Sequence, residues 1–273
     1  MPFRIIHTAD IHGNKSFYER LFEKSKDNSI NAVVIAGDLS PKDFGPLQGK
    51  IEKQERFFLD FFIPLVKNFR KQNPKKNVFL IMGNDDFKSG ESLLMNSDKN
   101  GVLHYIHKKQ ATLNDSYKIA GYSFVNPTPF RMKDWEKDDF RGDKMPPQVF
   151  GEEFRSADKE KGTINEDLQA LKRMTMPRKT VYVMHAPPYN TKLDIITSNA
   201  HVGSRAIREF IEKEQPPLTL HGHIHESPKM SGSWKDKIKN TICINVGSSY
   251  PDDKLNCAII NLEDLGDMEY LEI

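Results

Sequence analysis

The stretch Phe3-Arg4-Ile5-Ile6-His7-Thr8-Ala9-Asp10-Ile11-His12 sets the reading of the whole chain. An apolar run of strand length, residues 3–7, is followed closely by two side chains able to bind a metal, spaced two apart. Apolar runs leading into candidate ligands recur four more times. Residues 32–35 lead into Gly37-Asp38, and residues 78–82 into Gly83-Asn84-Asp85-Asp86. Residues 181–184 lead into His185, and residues 218–220 into Gly222-His223-Ile224-His225. Strands without polar alternation suit a parallel sheet covered on both faces. Such sheets present loops at the carboxyl ends of their strands, where ligands gather. Converging oxygens and imidazoles from several loops are what a pair of catalytic metal ions requires, with an ion separation of roughly 3.5–4 Å.

The five blocks, in this order, resemble the signature of the calcineurin-like metallophosphoesterases: D-x-H, G-D, G-N-H-[D/E], H and G-H-x-H. Residues 121–135, 185–194 and 221–227 further resemble a group of small, single-domain bacterial and archaeal members. The likeness runs from Asp10 to Gly247. It implies one domain over residues 1–273, an α/β fold built as a four-layer α-β-β-α sandwich of two mixed sheets flanked by helices. Periodicity alone gives only α/β.

By motif position, the resemblance implies that Asp10, His12, Asp38 and His225 bind one metal ion. Asp38, Asn84, His185 and His223 bind the other, so that Asp38 bridges the pair. It also implies that a water activated between the ions attacks phosphorus in line, with Asn84, His12 and His223 positioning the phosphate. The mixed oxygen and nitrogen donors suit two divalent transition ions, Mn, Fe, Zn or Ni, with Mn expected in an assay, more than Ca. Asp10 and His12 lie two apart beyond a strand, so both side chains can project to one side. Gly222 allows close backbone approach. Taken singly, Asp10, Asp38 and Asn84 read as turn formers or caps, and His185 as a loop histidine. The joint pattern overrides those readings.

One position departs from the family. Asp85 stands where the pattern has a histidine thought to protonate or stabilise the leaving oxygen, and some phosphodiesterase-like members carry cysteine there. The change puts the general-acid step in question. Two divalent ions, two carboxylates and a hydroxide leave one net positive charge, which an ionised Asp85 cancels. A phosphodiester monoanion then suffers less than a monoester dianion. The expected function is therefore a metal-dependent phosphodiesterase acting on a small phosphate ester. Alternatives are a nuclease of the same chemistry, or a metal-binding regulatory or interaction protein with little turnover, which Asp85 alone favours. Asp85 can instead act as a protonated acid or hold a backbone turn. Asp86 matches an acidic family position and is expected to support neighbouring groups.

Composition agrees. The chain has 273 residues, 40 basic against 38 acidic, and a net charge of +2, so nucleic acid is not favoured as a partner. Lysines in residues 67–76 and 229–239 read as solvated faces. No stretch of about 18 apolar residues marks a membrane span. Met1-Pro2-Phe3-Arg4 leads straight into the first strand, an arrangement expected to leave no signal peptide. The two cysteines, Cys243 and Cys257, lie in apolar runs and are expected as buried thiols of the cytoplasm.

Helices are expected at residues 14–26, 47–70 (kinked or split by Pro64), 133–140, 164–174 and 204–214. Further strands are expected at residues 103–106, 117–125, 241–247, 255–261 and 268–273. Residues 141–162 are polar, with Pro146-Pro147, and read as a mobile loop or lid. His7 and His221 read as core residues or supports of the ligands, and His201 as a solvated loop histidine. Phe130, Trp135 and residues 187–194 are expected on the pocket rim.

Overall fold

Strand β1, Arg4–Thr8, is apolar on both faces: Ile5 turns to one packed layer and Ile6 to another. In this computed structural model, which describes residues 2–42, 46–143, 151–249 and 252–273, that division holds across the core. Strand β2 (Ile30–Ala36) points Ala32, Val34 and Ala36 inward, with Val33 and Ile35 outward. Strand β3 (Asn77–Ile81) divides Phe79 and Ile81 from Val78 and Leu80 in the same way. Period-two geometry alone requires this split.

Helices α1 (Lys15–Lys24), α2 (Leu47–Arg56), α3 (Ile63–Gln72) and α4 (Glu91–Lys99) cross between or follow these strands, and β4 is His104–Tyr105. Among the described residues, two six-stranded sheets result. The first has the order β12-β11-β1-β2-β3-β4, where β11 is Asn256–Asn261 and β12 is Met268–Glu272. The second contains β5 (Gln110–Thr112), β6 (Lys118–Tyr122), β7 (Thr180–Met184), β8 (Leu218–His221), β9 (Lys235–Ile238) and β10 (Thr241–Asn245), in the order β5-β6-β7-β8-β10-β9. Strands β1 to β4 run parallel, as do β6, β7, β8 and β10, while β5, β9, β11 and β12 pair antiparallel. Helices α5 (Ile164–Arg173), α6 (Arg205–Glu214) and the short α7 (Ser227–Ser231) belong to the second half. The expected α/β architecture, two mixed sheets flanked by helices, is the observed one. The short edge strands β5 and β9 were not anticipated, because three or four mostly polar residues carry no periodic signal.

Pro64 does not split the long helix. Residues Phe57–Phe62 widen into a π-helical turn between α2 and α3, and Ile63 N–H bonds Phe58 O. A proline cannot donate to the ladder, and the wider turn absorbs the missing bond. Three rings of this run are shielded from solvent: Phe57 and Phe62 are buried against Tyr18, and Phe58 against those two rings.

Residues 133–140 are not helical. Val125 N–H bonds Trp135 O at 2.8 Å and Lys137 N–H bonds Val125 O at 3.0 Å, so the backbone pairs sideways. Asp134 accepts from the backbone of Lys88 and Ser156, and Asp139 from the backbone of Arg205. Short acidic side chains that bond distant backbone compete with helix formation. The expected lid is only partly described, since residues 144–150 lie outside the described residues. Its remainder is anchored: Phe154 pairs with Arg131 and Lys133, and Glu160 meets Lys88 at 2.8 Å, Lys137 at 3.1 Å, and Lys108.

Candidate metal centre

Each ligand candidate sits just past the carboxyl end of a strand, and the loops are knitted to one another. Asp10 N–H bonds Gly37 O at 3.1 Å, His12 N–H bonds Asp38 O at 2.9 Å, and Gly13 N–H bonds Leu39 O at 2.9 Å. Gly222 N–H bonds His185 O at 3.0 Å. The His223 N–H reaches the Asp10 carboxylate at 3.0 and 3.1 Å. Asp10, His12, Asp38 and His225 therefore converge, with one donor atom of each lying within 4.8 Å of the others. His12 Nε2 is 3.1 Å from His225 Nε2, which is 3.5 Å from Asp10 Oδ1.

A second group adjoins the first. His185 Nε2 lies 3.0 Å from Asn84 Oδ1 and 3.4 Å from Asp38 Oδ1. Asn84 Oδ1 is also 2.5 Å from His223 Nδ1. Asp38 thus presents Oδ1 to this group and Oδ2, 3.9 Å from His12 Nε2, to the other. All seven expected ligand residues are brought together.

The backbone bends to do so. Asp10, His12, Asp38 and His223 have φ of 56°, 50°, 53° and 71°. This left-handed region is uncommon for residues other than glycine, and such strain gathers at functional sites. A Cβ on Gly83 would come within 2.2 Å of Asp38 Oδ1 and 2.6 Å of His185 Cε1. One on Gly222 would meet Asp10 Oδ2 at 2.7 Å. The close approach at Gly222 is thus to the carboxylate of a candidate ligand, Asp10.

The donor set fits divalent cations. His185 Nδ1 lies 2.6 Å from Ala36 O. A carbonyl only accepts, so Nδ1 carries a proton. Nε2 then faces the oxygens of Asn84 and Asp38, and either a second proton or a cation must lie among them. Burial lowers the His185 pKa, but Asp38 outweighs it and carries the group up to about 9. Burial, with His185 beside it, pushes His223 down to about 3. His12, buried with Lys42 nearby, falls to about 3 despite Asp38. Neutral imidazole is the metal-binding form.

Asp86 ties these loops to one another. It is fully buried and accepts from the backbone N–H of Leu39, Ser40 and Gly83 and from the Ser40 hydroxyl, at 2.7 to 3.0 Å. Burial and Asp38 raise it to about 6 against those bonds. Asp85 behaves differently. Its Oδ2 lies 3.9 Å from His12 Nδ1 and 2.7 Å from the Lys42 ammonium, while Oδ1 accepts from Asn84 Nδ2 at 3.1 Å. It faces the centre rather than fastening a turn. Lys42 was missed by the sequence reading: four residues after Asp38 in a Pro-Lys step, it has no motif to mark it.

The leftover histidines brace the core. His7 and His221 are fully buried; His7 Nε2 bonds His221 O at 3.2 Å, and His221 Nδ1 bonds Met184 O and Ala186 O. His201 is not simply solvated, because its Nδ1 lies 2.7 Å from the buried Asp194. Trp135 is not on a rim. It is fully buried, 5.1 Å from Phe124 and 5.0 Å from His107 by ring centroid, while Phe130 is exposed.

Comparison with known proteins identifies the family and the fold. Residues 3–227 match the model of the calcineurin-like phosphoesterase family. An uncharacterized protein of Methanocaldococcus jannaschii, MJ1162, is 48% identical over 246 residues, 89% of this chain and 87% of the relative. The crystal structure of TT1561 of Thermus thermophilus superposes with a TM-score of 0.63 at 12% identity, over 100% of this chain and 99% of that one, a likeness of fold. The calcineurin-like phosphoesterase YfkN of Bacillus subtilis is more distant, with a TM-score of 0.48 and 15% identity over 99% of this chain and 90% of that one. By the family match and the identity to its archaeal relative, the chain belongs to the calcineurin-like phosphoesterase family.

Proposed function

We propose that this protein hydrolyses phosphate esters, phosphodiesters in preference, at a centre of two divalent transition metal ions. The observation that supports the dinuclear reading is Asp38, whose two oxygens face separate groups of donors. Asp10, His12 and His225 complete one group, and Asn84, His185 and His223 the other. Bound ions would lower the pKa of a shared water and polarise the phosphoryl oxygens. The chain itself fixes the ligands on knitted loops, keeps His12 and His223 neutral by burial, and uses His12, His223 and Asn84 to orient the phosphate. Preorganised groups of this kind account for much of the rate of phosphoryl chemistry.

Asp85 supports the diester preference. Its carboxylate lies against His12 and is the more buried end of the pair with Lys42, 24% exposed against 38%. The negative end therefore lies nearer the ligands, although Lys42 offsets much of a charge that the sequence left uncompensated. At an effective dielectric of about 20 and a distance of about 6 Å, each unit charge is worth about 3 kcal/mol. A monoester dianion feels twice the penalty of a diester monoanion. Two buried free thiols, Cys243 and Cys257, support a reducing compartment such as the cytoplasm. Among the described residues, no helix is long and apolar enough to cross a membrane.

The test compares bis-nitrophenyl phosphate with nitrophenyl phosphate, using protein stripped by chelator and reloaded with Mn, Fe, Zn or Ni. Metal-restored hydrolysis with faster diester turnover is expected. Faster monoester turnover rejects the charge argument. Metal binding without turnover of a broad phosphate-ester panel favours a regulatory role.

A further inference from the structure

The Asp85 carboxylate cannot donate a proton bond while ionised, so the place occupied by a histidine in the family pattern holds an acceptor. A donor stands beside it. Lys42 Nζ lies 2.7 Å from Asp85 Oδ2, and an ammonium carries three N–H donors. One N–H serves Asp85, which leaves two for other acceptors. The lysine is placed by more than this pair. Leu39 and Ser40, which lead into Pro41-Lys42, are tied to Asp86, and Pro41 packs so closely on Gly13 that a Cβ there would lie 2.3 Å away. The loop that carries Lys42 is therefore anchored to the loops that carry His12 and Asn84. Burial lowers the Lys42 pKa, but Asp85 and Asp38 raise it overall, so the side chain is a fixed cation. It remains 38% exposed, open to an entering ester.

Resting on the hydrolase reading above, we propose that Lys42 is a catalytic residue that donates an N–H to the leaving-group oxygen of the phosphodiester, with Asp85 as the positioning residue that aims it. Water adds to phosphorus as hydroxide. The P–O bond to the leaving group breaks with its electron pair on that oxygen. Lys42 neutralises the developing charge, and the proton lost by the water ends on the departing alcohol. The ammonium is unchanged over the cycle. A pre-aimed donor at such an oxyanion is worth about 10²–10³ in rate.

The demand for this donor grows with the basicity of the leaving oxygen. The experiment measures metal-loaded wild type and Lys42→Met on a series of aryl methyl phosphodiesters running from nitrophenol to unsubstituted phenol. Metal content is determined on the same samples. The expected result is unchanged metal content, a loss under about tenfold for the nitrophenyl ester, and a loss approaching about a hundredfold for the phenyl ester. Lys42→Arg should recover part of the difference, and Asp85→Asn should show a weaker slope in the same direction. Equal losses across the series, or loss of bound metal from Lys42→Met, would overturn the assignment. If wild type hydrolyses no member of the series, the hydrolase reading fails and Lys42 fails with it. An active wild type with no change of slope in the variant removes Lys42 alone.

Discussion

Asp38 Oδ1 stands 3.4 Å from His185 Nε2, while the opposite nitrogen of the same imidazole is fixed on Ala36 O at 2.6 Å. The histidine cannot swing away without losing its carbonyl, so carboxylate and ring meet in one geometry. Asp38→Asn and His185→Ala should each lose bound metal and activity together, with activity falling by more than the roughly 10–100-fold typical of outer supporting residues. Metal analysis after dialysis, alongside the diester assay, checks this. A fully active Asp38→Asn ends the two-metal reading.

Gly83 reports on the same contact from the backbone side. The added methyl of Gly83→Ala would press on Asp38 Oδ1 and His185 Cε1. Backbone cannot yield cheaply there, because Gly83 N–H is held by Asp86 at 2.9 Å. The variant should fold and yet lose metal affinity at least about tenfold. Gly49→Ala is the matched control, since nothing lies within 4 Å of its Cβ and it sits in α2. It should gain about 0.5–1 kcal/mol of stability with activity intact. Similar metal affinity in Gly83→Ala and wild type would refute the crowding argument.

The convergence of the candidate ligands was legible because they lie in short blocks at strand ends, and strand ends were visible as apolar runs. Asp10, His12 and Asp38 needed only that. Their positive φ values were not legible, since nothing in an Asp-x-His triplet announces a left-handed turn. Lys42 was invisible for a different reason: its partner Asp85 lies 43 residues away in sequence, and a lone surface lysine looks like any other. The failed helix at residues 133–140 shows tertiary pairing with Val125 overriding local pattern. Trp135, expected on the pocket rim, instead fills the space between Phe124 and His107. Such placements depend on which layer a residue joins, and sequence period does not specify that for irregular segments.

Asp86 gathers three backbone donors and one hydroxyl. Asp86→Ala leaves these buried groups without their acceptor, at about 1–3 kcal/mol for each one that finds no substitute. A loss on the order of 3 kcal/mol, or a fall of very roughly 6–12 °C in Tm for a chain of this size, is expected. Calorimetry of metal-free protein isolates the effect from metal binding. A Tm within about 2 °C of wild type, the shift that 1 kcal/mol would give, would mean that the loops hold without this carboxylate.

Cys243 and Cys257 are fully buried, and burial pushes each thiol up to about 12. At pH 8 only about one in ten thousand would be thiolate, the reactive form. Iodoacetamide should label neither in the folded protein and both after denaturation, as read by mass. Rapid labelling of the native state would contradict the packing of β10 and β11.

Glu160 gives the acid limb of stability. Burial raises its pKa, but Lys108, Lys88 and Lys137 outweigh that and hold it well below the ordinary glutamate range. A carboxyl with a depressed folded pKa stabilises fully above its unfolded value, about 4.3. That contribution is lost as pH falls from there through the folded value, because the unfolded chain then binds the extra proton. Glu160→Gln keeps the shape and removes the charge. Its Tm should lie below wild type at pH 7, and the gap should close progressively below about pH 4.5. The lysines sit around Phe124 with Nζ 4.4 to 5.0 Å from the ring centroid, so part of their placement survives the substitution and the gap at neutral pH should be modest. Scanning calorimetry from pH 7 to pH 3 on both proteins decides the matter: a gap that stays constant or widens in acid would show that the three lysines do not act through this carboxylate.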